Sequence, residues 1–212
     1  MKPLYDKFSY IQNFVKGKKV LDVGVVSHEV HFSEKWYRNT FLHGFLCESA
    51  QSVTGIDIEE KGVKELQERG YNVIVADAEN MGLHDTFDVI VAGELIEHLA
   101  NPGNFIKGAY KNLREEGLLI LTTPNPFNLK RCIYGFLGKQ LMINPEHTCW
   151  FDVQTLCQLC GRFGFELVEY RYAYHIKPHW DRWLRVMLKL IYRFPHHCNT
   201  RIIVFRKPEK SL

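Results

Sequence analysis

The stretch KKVLDVGVVSHEVHFSEKWYRNTFLHGFLCESAQSVTGIDI, residues 18–58, holds two short apolar runs that are rich in β-branched residues. The first run, residues 20–23, stops at Gly24, and the second, residues 53–56, stops at Asp57. Sequence of helical character lies between them. Two β-branched runs joined in this way predict a parallel β-α-β unit.

The residues that end the two runs suit the binding of a nucleoside. A glycine lets the backbone approach a ligand closely, and the carboxylate of Asp57 could accept hydrogen bonds from two ribose hydroxyls. Such a ligand would lie at the carboxyl ends of the strands, where open α/β sheets bind. A nicotinamide-dependent oxidoreductase would need a Gly-x-Gly-x-x-Gly turn, which does not follow residues 20–23.

Further segments follow in order: VADAEN at 75–80, FDVIVAGELIEHL at 87–99 and LLILTTPN at 118–125. Together with VLDVG and VTGID, they resemble the class I S-adenosylmethionine-dependent methyltransferase superfamily over residues 18–125 and again over 146–170. The resemblance implies an α/β fold, a Rossmann-like three-layer α/β/α sandwich. Its seven-stranded, mostly parallel sheet would have the order 3-2-1-4-5-7-6 with the last strand antiparallel. We expect one domain over residues 1–212, with insertions at about 128–148 and 174–198.

The resemblance also implies which residues meet the cofactor. Asp57 would bind the ribose, Asp77 with Ala78 the adenine, and Gly24 the methionine part, while Gly93 lets the chain bend under the ligand. The full expected set for S-adenosylmethionine is Asp22, Gly24, Asp57, Ile58, Asp77, Ala78 and Gly93. For Asp77, the alternative is that it only caps the turn beginning at Asn80.

The loop after the first strand departs from the family pattern of three spaced glycines, because residues 24–28 read Gly-Val-Val-Ser-His. Ser27 or His28 could replace the lost backbone donors with side-chain donors, or both could be ordinary loop residues. The piece up to Lys35 resembles an insertion before a helix that carries Trp36, Phe41, Phe45 and Leu46. A preceding helix over residues 5–15 would either cover the cofactor or pack on the sheet edge.

Candidate catalytic residues follow strands four and five: Glu94, Glu97, His98 and His147. On a helical turn, positions 94, 97 and 98 share a face. The set resembles the metal ligands of the small-RNA 2′-O-methyltransferases, and Glu-x-x-Glu-His also occurs in the ubiquinone-pathway O-methyltransferases. Three interpretations stay open: a divalent metal, which we do not favour over the others, a histidine as direct base, and a structural or substrate-binding role.

Composition limits the other classes of function. The chain has 212 residues, 46% of them hydrophobic, and a net charge of +3, which does not favour a nucleic-acid partner. No apolar run approaches the ~18 residues of a membrane span, and the first residues lack a signal-peptide pattern, so we expect a cytoplasmic protein. Six scattered cysteines indicate reduced thiols.

Two segments do not fit the common core. Residues 128–144 mix basic and apolar residues, which suits a flap on the substrate side. Residues 180–194 have bases at helical spacing opposite a broad apolar face, which indicates either packing or peripheral membrane and lipid contact. We expect methyl transfer to a hydroxyl of a small-molecule or lipid-like acceptor. A degenerate methyltransferase fold that only binds is the alternative, and the sequence indicates no oligomeric state.

Overall fold

The computed structural model describes residues 4, 6–26, 41–141, 143–174 and 195–209. Seven strands form one sheet in the order β3-β2-β1-β4-β5-β7-β6. They are β1 (Lys19–Val23), β2 (Ser52–Asp57), β3 (Val73–Val75), β4 (Phe87–Gly93), β5 (Leu113–Pro124), β6 (Glu166–Ala173) and β7 (Thr200–Arg206). Strands β1 to β5 pair in parallel, and β7 is antiparallel to both β5 and β6. The predicted fold class and strand order are therefore confirmed.

Six α-helices surround the sheet in the described residues: α1 (Lys7–Val15), α2 (Leu42–Cys47), α3 (Glu60–Glu68), α4 (Pro102–Asn112), α5 (Leu129–Phe136) and α6 (Val153–Gly161). Single 3₁₀ turns occur at Ala78–Asn80, Ile96–His98 and Pro195–His197. None of the described helices is long and apolar enough to cross a membrane.

The alternation of side chains along β7 shows why the molecule has three layers. Ile202 and Val204 pack into one core cluster, which contains Ile11 of α1. Ile203 and Phe205 point the opposite way, into a second cluster with residues of α4 and α6. Since successive strand residues face opposite sides, both faces of the sheet are covered by helices.

Capping residues set the helix boundaries. Asp152 accepts a hydrogen bond from the Thr155 amide at 2.7 Å, and the Thr155 hydroxyl oxygen accepts one from the Asp152 amide at 3.0 Å, which closes a reciprocal capping box at the start of α6. Gly164 follows that helix with a φ of 92°. Asp6 caps α1, so this helix begins at Lys7, two residues later than the sequence pattern predicts.

Some predicted boundaries were wrong. Phe41 is the N-cap of α2 and not a residue within the helix, while Trp36 lies outside the described residues. β5 begins at Leu113, five residues before the LLILTTPN segment, because Leu113 is buried and pairs with Phe87 of β4. Ser27, His28 and residues 180–194 also lie outside the described part of the chain, so the interpretations placed on them remain predictions.

Candidate functional site

A cavity of about 890 Å³ opens at the carboxyl ends of β1 to β5. All eleven residues that the sequence nominated lie in its wall: Asp22, Gly24, Asp57, Ile58, Asp77, Ala78, Gly93, Glu94, Glu97, His98 and His147. The parallel strands bring their carboxyl ends to one edge, which is why residues far apart in the chain meet there.

Asp57 ends β2 and holds two neighbouring segments in place. Its Oδ2 accepts a hydrogen bond from the Val26 amide at 2.8 Å, and its Oδ1 accepts one from the Glu59 amide at 3.0 Å. Each carboxylate oxygen has a further lone pair, so both could also accept a hydroxyl.

The loop after β1 folds back onto β2. The amides of Gly24 and Val25 both donate to the Ile56 carbonyl, at 2.9 and 3.3 Å, and the Val26 amide is held by Asp57. Gly24 has a φ of +81°, and a Cβ there would lie 3.0 Å from Leu95 Cδ1. The three amides that follow β1 are therefore bonded inside the protein.

The far end of the cavity, beyond β2 and β3, suits a flat apolar ring. Ile58, which lines this end, is 68% exposed although it is large and apolar. Asp77 Oδ1 accepts from the Glu79 amide at 2.8 Å, so Asp77 caps the Ala78–Asn80 turn and also lines the cavity. The two interpretations of Asp77 are compatible, because capping engages one of its carboxylate oxygens.

A buried ion pair lies in the cavity wall beside Gly24. His43 of α2 is 1% exposed, and its Nδ1 lies 3.0 Å from Oδ2 of Asp22, which is 2% exposed. Burial by itself would lower the pKa of His43, but the hydrogen bond and charge of Asp22, together with the Cys47 thiol, raise this pKa to about 9. The imidazole is therefore charged at neutral pH and gives Asp22 its countercharge.

Glu94 does not lie on the helical turn that the sequence predicted. Its φ is +53°, and the turn begins only at Ile96. The Glu94 amide donates to Thr122, whose hydroxyl donates back to Glu94 Oε1 at 3.1 Å. Lys7 of α1 also reaches Glu94 Oε1, at 3.3 Å. The prediction that positions 94, 97 and 98 share one face of a helical turn is thus wrong, since Glu94 lies before the turn and has a positive φ.

Glu97, His98 and His147 do come together, with one potential ligand atom of each lying within 4.8 Å of the others. Glu97 is 1% exposed; its Oε2 accepts from the Thr123 hydroxyl at 3.0 Å, while its Oε1 is buried without a hydrogen-bond partner. Burial and the nearby charge of Glu94 raise the pKa of Glu97 well above its usual range.

The two imidazoles are in edge contact, with ring centroids 4.6 Å apart. Nδ1 of His147 is also buried without a partner. Burial lowers the pKa of His147, and the positive charges of His98 and Arg131 lower it further. Thr148 fixes this arrangement, because its amide donates to the Glu97 carbonyl at 2.8 Å and its hydroxyl donates to the Leu99 carbonyl at 2.6 Å.

The cavity fits both groups that the sequence suggested, a nucleoside cofactor and a divalent metal. For a nucleoside cofactor, it offers a carboxylate at the end of β2, an exposed apolar side chain, and a glycine where a side chain would crowd Leu95. For a divalent metal, the unpartnered Glu97 Oε1 and His147 Nδ1 are atoms of the types that bind such ions. Glu94 is outside that cluster.

Sequence reasoning missed four residues of the site: Lys7, His43, Thr122 and Thr123. The two threonines belong to the quoted LLILTTPN segment, and hydroxyls at a strand's carboxyl end were a usable signal. The α1 helix both covers the cavity, through Lys7 and Phe8, and packs on the sheet, through Ile11 and Val15. No local pattern marked His43.

Comparison with known families gives a match to a methyltransferase-domain family model over residues 2–170. Ubiquinone biosynthesis O-methyltransferase of Azoarcus sp. (strain BH72) is 26% identical over 167 residues, which cover 72% of this chain and 66% of that protein. A Mycolicibacterium smegmatis protein, named a probable S-adenosylmethionine-dependent methyltransferase, is 26% identical over 133 residues, or 61% of this chain and 49% of that protein. The chain spans about half to two thirds of the length of these two curated relatives.

Among solved structures, an S-adenosylmethionine-dependent methyltransferase from Archaeoglobus fulgidus superposes with a TM-score of 0.61 at 21% identity, covering 94% of this chain and 90% of that one. N-methyltransferase NodS from Bradyrhizobium japonicum, in complex with S-adenosylhomocysteine, gives a TM-score of 0.59 at 14% identity, covering 96% and 86% of the two chains. At these identities the structural likeness establishes the fold.

Proposed function

The chain belongs to the methyltransferase-domain family, and we propose that it is an S-adenosylmethionine-dependent methyltransferase acting on a small-molecule or lipid-like hydroxyl acceptor in the cytoplasm. When bound, the cofactor supplies an electrophilic methyl group carried by a sulfonium. The chain's own residues bind the cofactor, orient the acceptor and exclude water.

The observation that carries this proposal is the meeting of all the nominated cofactor residues in one cavity. Asp57 accepts hydrogen bonds from the ribose hydroxyls, and Asp77 with the Ala78 amide reads the adenine edge. Ile58 supplies apolar surface against the base. Asp22, Gly24 and Gly93 border the methionine part.

A hydroxyl acceptor needs a group to take its proton, and the wall opposite the nucleoside side supplies candidates. We assign this role to the imidazole pair of His98 and His147, because Thr148 fixes the pair at the cavity wall. Glu97 lies behind the pair, where its Oε2 is held by Thr123. Glu94 closes the methionine side together with Lys7.

Titration calorimetry with S-adenosylmethionine tests the cofactor part. We expect saturable binding, and Asp57→Ala should raise the Kd roughly 100-fold, because two hydrogen bonds to a charged carboxylate are lost. Asp85→Ala removes a carboxylate whose side chain is 69% exposed and should leave the Kd unchanged. A folded wild-type protein that shows no saturable binding would overturn the proposal.

The hydroxyl preference is tested separately, with a methyl-labelled cofactor and paired acceptors, a small phenol and the matching aniline. We expect the label in an ether and its loss in the double variant His98→Asn/His147→Asn, with cofactor binding retained. Label in the amine alone would refute oxygen as the acceptor atom and leave the cofactor assignment intact.

A metal at Glu97, His98 and His147 is the alternative for the same wall, and the two unpartnered buried atoms favour it. A divalent ion would lower the pKa of a bound hydroxyl. Metal content of the purified protein decides between the two: in the metal case, Glu97→Gln loses the ion and Glu94→Gln keeps it. Unchanged methyltransferase activity after treatment with a chelator would exclude the metal hypothesis.

A binding module without catalysis is favoured by one observation, the internal bonding of the Gly24, Val25 and Val26 amides. With those donors engaged, the methionine carboxylate would find no free backbone amide among these three residues. The calorimetry above distinguishes the two functions, since a degenerate domain would release no heat with S-adenosylmethionine. We retain the peripheral contact through residues 180–194 as a proposal, and nucleic acid is not among the partners we propose.

A further inference from the structure

Helix α5 follows β5 and is attached to the domain by the side opposite to its apolar face. Arg131 donates through Nη1 to the Asn125 carbonyl at 2.8 Å, and its guanidinium lies 4.9 Å from the centre of the Trp150 ring. The Cys132 thiol points to the Phe127 carbonyl at 3.3 Å. Arg131 therefore lies on the side of α5 that contacts the domain.

Three large apolar side chains in and directly after the same helix are exposed. Ile133 is 46% exposed, Phe136 is 91% exposed and Leu137, which ends the helix, is 56% exposed. At 100° per residue, these three positions lie within about 100° of one another on the helix surface. None of the residues of α5 is buried. A surface helix normally turns such a face to its own core, so this one is oriented for an external partner.

The charge around this face is of one sign. Residues 126–145 contain no Asp or Glu, and their three basic residues are Lys130, Arg131 and Lys139. Arg131 is engaged with the domain, whereas the ammonium groups of Lys130 and Lys139 lie 5.5 and 5.9 Å from the Tyr134 ring, on exposed side chains. Apolar side chains flanked by lysines complement a surface that is apolar inside and anionic outside.

We propose that α5 docks the protein on the surface of an anionic lipid membrane, through the residues that we call the α5 surface: Phe127, Lys130, Ile133, Phe136, Leu137 and Lys139. The segment that carries α5 returns to the cavity at Asn144, Glu146 and His147. Docking would thus place the membrane at the acceptor end of the cavity. The inference goes beyond the proposed reaction, because it holds for any acceptor.

Flotation of the full chain with vesicles tests the proposal, using phosphatidylglycerol mixed with phosphatidylcholine and, for comparison, phosphatidylcholine alone. We expect flotation with the anionic vesicles. Phe136→Gln/Leu137→Gln should weaken partitioning at least tenfold, and the single variant Phe136→Gln should weaken it in part. Leu167→Gln replaces an apolar residue that is 42% exposed on β6 and should float like the wild type.

The contribution of the lysine charges to membrane binding is tested with a second variant and its own control. Lys130→Gln/Lys139→Gln should weaken partitioning to anionic vesicles roughly 25-fold, at about fivefold per base near an anionic surface, and the effect should shrink in high salt. Lys107→Gln/Lys111→Gln, which removes two exposed charges from α4, should change it little. Cofactor binding, measured in every variant, shows that the fold and the methyltransferase site are intact.

Three results would overturn the proposal. One is a wild-type protein that stays with the soluble fraction in the presence of anionic vesicles. Another is equal flotation of the wild type and the α5 variants. The third is a dimer in sedimentation velocity that Phe136→Gln/Leu137→Gln converts to a monomer, because a second copy of the chain would then cover the α5 surface.

Discussion

Two carboxylates at the cavity are each balanced by one basic side chain. Asp22 and His43 form an ion pair with less than 3% exposure on either residue, while Glu94 is balanced by Lys7 at 3.3 Å. Removing one partner of a buried pair strands the other, whereas an exposed pair matters little. The cavity can therefore border a positively charged cofactor and still keep its carboxylates in fixed positions.

The Asp22–His43 pair makes stability depend on pH. Folding raises the His43 pKa from 6.5 to about 9, so its contribution is fully present below pH 6.5 and is lost as pH rises through 9. We expect Asp22→Asn to lower the unfolding free energy by about 3 kcal/mol at pH 6 and by much less at pH 10. Urea unfolding at both pH values measures this. Asp85→Asn should cost under about 1 kcal/mol at either pH, and parallel pH profiles for wild type and Asp22→Asn would contradict the charged pair.

Gly24 combines a left-handed backbone with a close neighbour. Its φ is +81° and an added Cβ would meet Leu95 at 3.0 Å, whereas Gly70, at +88°, has no neighbour within 4 Å. We expect both Gly24→Ala and Gly70→Ala to lose about 1–2 kcal/mol of stability through backbone strain. In calorimetry, only Gly24→Ala should weaken S-adenosylmethionine binding, because only its Cβ would disturb the cavity wall. Equal affinities of the two variants for S-adenosylmethionine would mean that Gly24 does not contribute to cofactor binding.

The sequence predicts helices and strands correctly where contacts between neighbouring residues determine them. The cap of α6 at Asp152 and the two faces of β7 are features of this kind, because each depends on neighbours within a few residues. The turn after β4 was predicted wrongly, since Glu94 adopts a positive φ under tertiary hydrogen bonds from Thr122 and Lys7. His43 was missed for the same reason: its partner, Asp22, is on another element.

The capping box of α6 offers a test at the level of one helix. Asp152→Ala leaves the Thr155 amide without its acceptor and should cost about 1 kcal/mol, and Thr155→Val should cost a similar amount. Because the two hydrogen bonds are reciprocal, the double variant should cost clearly less than the sum. Denaturant unfolding of the four proteins completes the cycle. Strict additivity would mean that the two bonds act independently.

Across the whole molecule, the sheet is completed by its last strand. β7 pairs with β5 over seven residues and with β6 on its other side, so among the seven described strands β7 connects β6 to the rest of the sheet. The family resemblance supplied this order, and composition or periodicity could not, because strand order depends on contacts between distant segments. The exposure of the apolar residues of α5 was not predictable either, since residues 126–145 follow no common pattern.

Two phenylalanines separate the part of the molecule that maintains the fold from the part that faces outward. Phe205 of β7 is 1% exposed within the main core cluster, and Phe136 of α5 is 91% exposed. The same substitution should therefore have effects of very different size. Phe205→Ala should lower the unfolding free energy by about 3–5 kcal/mol, and Phe136→Ala should change it by less than about 0.5 kcal/mol. Urea titrations followed by circular dichroism measure both. A loss of 2 kcal/mol or more in Phe136→Ala would mean that α5 packs on its own domain in solution, which would remove the reason for an external partner.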